Sequence, residues 1–232
     1  MKFPIKKETN FNLLELIIQA MVFCIAVYSV GVSSRWWWAQ QIRPFDFTVC
    51  YYAGLGVVTE GWIYSNIFMP MFSVLNLWDL STSYLYFSGL STLLFMFITH
   101  KMLKLRFGWF FILINLYNFS AIIIHGNIHN LIALLSLYPI GSLFGMAIKP
   151  FYFVIPVLFY FTKDKMIRKV KVLWLIIIAF ILVLVYPSKE VIAYVLKHND
   201  LVNRSVLLSM NIYYVLAQIE IRDIRKLFSI NT

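Results

Sequence analysis

The chain reads as an all-α, polytopic integral membrane protein of about eight spans, some of them short or broken. Three observations predict this. Apolar residues make up 61% of the 232 positions and charged residues 13%, with a mean hydropathy of +0.79, whereas soluble domains run at about half and a quarter. Apolar stretches of roughly 16 to 23 residues recur from end to end, long enough for helices that cross a bilayer. The basic residues fall in short clusters between those stretches. Such clusters set topology, so the net charge of +10 implies no nucleic-acid partner. Lipids are the surroundings this composition requires. Residues 1–232 form a single transmembrane domain, with no repeat and no soluble segment.

Each element follows in order. The first span covers about 13–32, after Lys2, Lys6 and Lys7, which puts the N-terminus in the cytoplasm. Its apolar run is too long for a signal-peptide core and lacks a small-residue cleavage site. An external loop, 33–66, carries Trp36, Trp37, Trp38, Trp62 and Tyr64, rings suited to a headgroup boundary. Within it Val49, Tyr52, Ala53, Gly56 and Val57 recur at helical spacing, which predicts a short amphipathic juxtamembrane helix lying on the membrane. A short apolar piece, 67–78, precedes a full span at 81–103, where Asp79 beside Ser81 reads as a helix cap. That span ends in Lys101, Lys104 and Arg106, a cytoplasmic signature, and 107–124 crosses outward again.

The 38 residues from His125 to Thr162 then precede the densest basic cluster, Lys163, Lys165, Arg168, Lys169 and Lys171. To start outside and finish inside, the segment crosses an odd number of times. One straight helix does not use its length and two give the wrong parity. Pro139, Gly141 and Lys149-Pro150 punctuate it, so three short or broken helices are expected. A span at 172–186 goes out, and 206–221 returns to Arg222, Arg225 and Lys226, with the C-terminus cytoplasmic. Of the 20 basic residues, 14 then lie in cytoplasmic segments. Lys149 stands alone in apolar sequence.

This topology gathers the isolated polar residues on one side. Asp46, His125, Asn127, His129, Asn203 and Arg204 all fall at external ends of spans, and Lys149 joins them if the break at Pro150 faces outward. One carboxylate among cations and amides, bordered by Trp and Tyr, suits a lipid-linked polar substrate.

The residues from Asp46-Phe47-Thr48-Val49-Cys50-Tyr51-Tyr52-Ala53-Gly54 to Glu60-Gly61-Trp62-Ile63-Tyr64 and Pro70 resemble the first external loop of GT-C glycosyltransferases. The likeness is closest to the polyprenol-phosphate-mannose-dependent family (glycosyltransferase family 87), with its D-(F/L)-x-V-Y-Y-x-A-G, G-x-x-Y and P-P pattern. Gly126-Asn127-Ile128-His129-Asn130 is similar to that family's G-Q-x-N element. Gly141 through Pro150 resembles its A-G-x-x-x-G-x-A-x-x-K-P element, and Asn203-Arg204-Ser205 sits where N-Q-S is usual. The chain departs from the pattern where Met69 and Met71 flank Pro70 and where Asn127 replaces Gln, and it is a short form.

The resemblance implies a GT-C-like core and sugar transfer from a polyprenyl-phosphate donor to a lipid or glycan acceptor on the non-cytoplasmic face, with no added cofactor. It places Asp46 as the general base that takes the proton of an acceptor hydroxyl, a contribution of roughly 10²–10⁴-fold. Lys149 and Arg204 become candidates for the donor phosphate, and His125, Asn127, His129, Asn203, Tyr51 and Tyr52 for substrate contacts. A membrane-protein partner is implied if the module is incomplete.

Plainer readings stay open beside these. Asp46 could cap the surface helix. Lys149 could pair with Glu15, itself inside the first span. Arg204 could be solvated, and Asn203-Arg204-Ser205 is also an N-x-S glycosylation pattern. His125 and His129 lie four apart and face alike if helical, but no H-E-x-x-H motif or nearby acid completes a metal site. Cys24 and Cys50 form neither a disulfide framework nor a zinc motif. The alternative function is non-catalytic: a small transporter subunit or an assembly factor of a membrane complex.

Overall fold

The computed structural model describes residues 13–40, 45–59, 66–105, 107–162, 165–185 and 213. Among these residues the fold is all-α. Its helices are α1 (Leu13–Gln40), α2 (Phe45–Gly54), α3 (Leu80–Leu103), α4 (Gly108–His125), α5 (His129–Leu135), α6 (Pro139–Ile148), α7 (Val154–Phe159), α8 (Lys165–Lys169) and α9 (Lys171–Val185). A 3₁₀ segment (Asn66–Leu77) precedes α3, and a 3₁₀ turn (Pro150–Phe153) joins α6 to α7. The expected span at 206–221, and Asn203 and Arg204, lie outside the described residues.

Three helices are long and apolar enough to cross a membrane: Leu13–Arg35 within α1, α3 and α4. Among the described residues that is three, not about eight. One expected span, 206–221, is not among these residues, and for the others the difference comes from length. At 1.5 Å per residue, α5, α6 and α7 rise only about 10, 15 and 9 Å, against a hydrocarbon core of about 30 Å. The three broken helices expected between His125 and Thr162 are present, but none crosses alone. The first helix is also longer than expected. It runs through Ser33 to Gln40, into what reads as loop, because no proline interrupts the sequence before Pro44.

α1, α3 and α4 form one three-helix unit, with α3 antiparallel to the other two. At one end Glu15 Oε1 lies 2.6 Å from His100 Nδ1, and Gln19 Nε2 donates to the Met96 carbonyl. At the other, Ser29 and Ser120 share a hydrogen bond of 2.7 Å and Tyr84 Oη donates to Ile123 O. Between them Val22, Ala26, Ile98, Met102 and Ile123 pack around stacked Phe95 and Phe119, whose centroids are 4.3 Å apart. Small residues and interhelical hydroxyls bring helices close where lipid supplies no hydrophobic drive. The outward faces stay apolar, with Leu16, Phe23, Val27, Leu85, Leu93, Ile114 and Tyr117 exposed.

α3 starts where its cap predicts. Asp79 is the N-cap, and its carboxylate accepts from the backbone N–H of Ser81 and Thr82. The hydrogen bonds from Ser81 and Thr82 hold the carboxyl well below the usual carboxylate range. A lowered folded value means the capping contribution is complete above the ordinary value of about 4 and fades as pH falls below it. Asp79→Ala should therefore lower the melting temperature in detergent at pH 7, and by less at pH 3, while Asp79→Asn keeps most of the cap.

A second core joins α2 to the short helices. Cys50, Phe72, Ile132, Met146, Tyr152, Ile155, Phe159 and Trp174 bury together, and Trp174 Nε1 donates to Pro156 O at 3.0 Å. The expected short helix exists as α2, but protein covers its apolar side: Phe47, Val49, Cys50 and Ala53 are buried. Of the periodic set, Gly56 and Val57 fall beyond its end and are exposed. At Gly54 a side chain would meet Phe72 O and Asn76 Nδ2 at 2.4 Å, so α2 and the 3₁₀ segment touch backbone to backbone.

Candidate functional site

Four of the residues singled out from sequence meet at the end of the three-helix unit away from His100, Lys101 and Lys104. Asp46 lies in the first turn of α2 and is half-buried. It reaches Asn127 because of Gly126. That glycine ends α4 in the left-handed conformation (φ 66), with its N–H bonded to Ile122 O and Ile123 O, and Asn127 N–H follows onto Ile122 O. A Cβ at Gly126 would lie 2.3 Å from Phe47 Cβ. Only glycine lets the end of α4 press against the start of α2, and this sets Asn127 beside Asp46.

Lys149 arrives from the opposite direction. Pro150 disfavours helical backbone at the preceding residue, so Lys149 takes φ −127, ψ 97 and ends α6. The break is enclosed by protein, which is where a bilayer tolerates one. Lys149 is 1% exposed. Its Nζ donates to Asn127 Oδ1 at 2.8 Å and lies 3.2 Å from His129 Nε2. His129 Nδ1 in turn sits 2.9 Å from Tyr152 Oη. The 3₁₀ turn after Pro150, closed by Tyr152 N–H on Lys149 O, places that hydroxyl on the same side as Lys149.

The donors and acceptors determine the rest. A carboxylate accepts only and an ammonium donates only. Asn127 must therefore point Nδ2 at Asp46 Oδ2, with which it is hydrogen-bonded, and Oδ1 at Lys149. His129 must present a bare Nε2 to Lys149 and donate its Nδ1–H to Tyr152. The result is one polar chain, Asp46–Asn127–Lys149–His129–Tyr152, in which a single amide separates carboxylate from cation. Burying an ammonium is costly unless acceptors surround it, and here an amide oxygen and a ring nitrogen do so. Glu15 does not take part, since it pairs with His100.

Cys50, one turn after Asp46 on α2, packs in the same region. Burial pushes its thiol up to about 12, with the charge of Lys149 lowering it and that of Asp46 raising it. A neutral, enclosed thiol is no nucleophile.

His125 does not join His129. Gly126 ends the helix between them, leaving His125 exposed and His129 buried, so the helical condition for their facing alike is not met. Among the described residues no group of three His, Cys, Asp or Glu is placed to hold a metal ion. Tyr51 Oη donates instead to Trp78 O at 3.0 Å, and the Tyr52 ring packs edge-on against Tyr51. Sequence reasoning missed Tyr152, although a hydroxyl three residues after Lys149 and just past a proline turn was a usable signal. It also missed Asn130, which locks α5 to α3 through Nδ2 on Ser91 Oγ at 2.8 Å.

No protein-family model, curated protein or solved structure matches the chain.

Proposed function

We propose that the protein is a membrane glycosyltransferase that moves a sugar from a polyprenyl-phosphate donor to a hydroxyl of a lipid or glycan acceptor on the non-cytoplasmic face. The observation that carries this reading is the linkage of Asp46 to Lys149 through Asn127. A base and a phosphate-binding cation are what such a transfer requires at neighbouring positions. In the reaction, the acceptor oxygen bonds to the anomeric carbon as the bond to the phosphate oxygen breaks. Asp46 takes the hydroxyl proton, and the polyprenyl phosphate leaves with the bonding pair. Lys149 stabilises the charge that develops on that phosphate.

The finer architecture belongs to this proposal. The chain would have about eight spans with a GT-C-like core, α2 near the external boundary and both termini in the cytoplasm. The short helices α5 to α7 would cross as a stacked set rather than singly. The placement of the polar chain away from Lys101 and Lys104 supports the external assignment under the positive-inside rule. Arg204, Asn203 and Tyr52 would complete the substrate contacts.

Lys149→Met tests the reading. The variant should weaken polyprenyl-phosphate binding by the loss of a charge-assisted contact, on the order of 1.5–3 kcal/mol, and Lys149→Arg should recover part of it. The two buried acceptors it orphans on Asn127 and His129 should also lower thermal stability. Unchanged phosphate affinity in the folded variant would instead favour a non-catalytic transporter subunit or assembly factor.

A further inference from the structure

A phosphate that reaches Lys149 meets an ammonium already bonded. Among its partners are Asn127 Oδ1 at 2.8 Å and His129 Nε2 at 3.2 Å, and all three residues are no more than 4% exposed. The two partners are not equivalent. His129 is anchored deeper, through Nδ1 to Tyr152, which is 0% exposed. Asn127 lies between Lys149 and Asp46, and Asp46 is the half-buried member of the chain. An anion entering from the Asp46 side comes first to the Asn127–Lys149 bond.

Resting on the transfer reading above, we propose that Asn127 is a positioning residue whose amide is displaced from Lys149 by a lipid phosphate, releasing Asp46 Oδ2 in the same movement. Because one amide bonds both groups, its loss from Lys149 cannot leave its bond to Asp46 unaltered. Until then Asn127 holds base and cation apart and occupies one carboxylate oxygen. Donor binding thus precedes and prepares proton removal from the acceptor, and a base without a donor stays restrained. A residue that merely supports the fold would weaken ligand binding when removed. A displaced competitor does the opposite.

The test measures equilibrium binding of undecaprenyl phosphate to the full chain in detergent micelles, with inorganic phosphate as a second ligand. Lys149→Met should weaken undecaprenyl-phosphate binding about tenfold or more, and Asn127→Leu should tighten it about tenfold, the scale of one hydrogen bond to a charged group. Asn127→Ala removes the same amide if the leucine variant does not fold. In the wild-type chain, the side-chain amide resonance of ¹⁵N-labelled Asn127 should move as ligand is added. Weaker or unchanged binding in the folded Asn127 variants, or an unmoved resonance at saturation, overturns the coupling while leaving the transfer reading in place. Unchanged binding in Lys149→Met overturns both. Inorganic phosphate binding as tightly as the lipid would mean that the site takes a free anion and would overturn the lipid assignment.

Discussion

Asp46→Asn should lower sugar transfer by about 10²–10⁴-fold, the contribution of a positioned general base, while polyprenyl-phosphate affinity stays within about twofold. The substitution is close to isosteric and keeps an oxygen to accept from Asn127 Nδ2. It removes the basicity and leaves the packing of Phe47 and Cys50 around it. The expected split is therefore a fall in kcat with little change in donor binding, the pattern of a group that acts only in the transition state. Single-turnover transfer and equilibrium donor binding, measured on the same preparation, check it. Retained turnover would remove Asp46 from the chemistry and return it to the role of a helix-cap residue.

Gly126→Ala should be the most damaging single-methyl change near the site. Left-handed backbone costs a residue with a Cβ about 1–2 kcal/mol, and overpacking adds about 1–3 kcal/mol, because the new methyl would lie 2.3 Å from Phe47 Cβ. Neither atom is the end of a flexible chain, so α2 must move away from α4, and Asp46 with it. The variant should lose thermal stability in detergent by roughly that combined amount and lose transfer as well. Gly89→Ala is the control: its Cβ meets nothing within 4 Å inside α3, and helix propensity predicts a neutral or slightly stabilising change.

What the sequence made legible follows from which interactions are local. α3 and α4 begin and end within about a residue of their expected limits, because an Asp79 cap and a basic stop are local signals. The break at Lys149-Pro150 was legible for the same reason. The extension of α1 to Gln40 was not, since a Trp-rich stretch reads as an interface whether helical or not. Neither was the span count. Hydropathy marks apolar segments, but whether six, seven or ten residues continue as one helix depends on packing partners that no window contains.

The site divides the same way. Asp46, Asn127, His129 and Lys149 stood out as polar residues in an apolar chain, and the alternation of basic clusters grouped them on one side. Their order in the chain of hydrogen bonds, with Asn127 between the charges, depends on Gly126 letting α4 meet α2. That contact spans 81 residues of sequence. That His125 and His129 do not face alike has the same cause, because the left-handed glycine that brings Asn127 to Asp46 also breaks the helix between the two histidines.

Transfer of sugar from a lipid phosphate by the polar chain around Asp46 and Lys149, as proposed, is open to direct measurement. The most direct measurement incubates the purified chain in proteoliposomes with radiolabelled polyprenyl-phosphate sugars and a membrane lipid extract, and separates the products by chromatography. A new labelled lipid or glycan is expected with the wild-type chain and none above background with Asp46→Asn. Label that stays on the donor with both proteins, or moves equally with both, would contradict it.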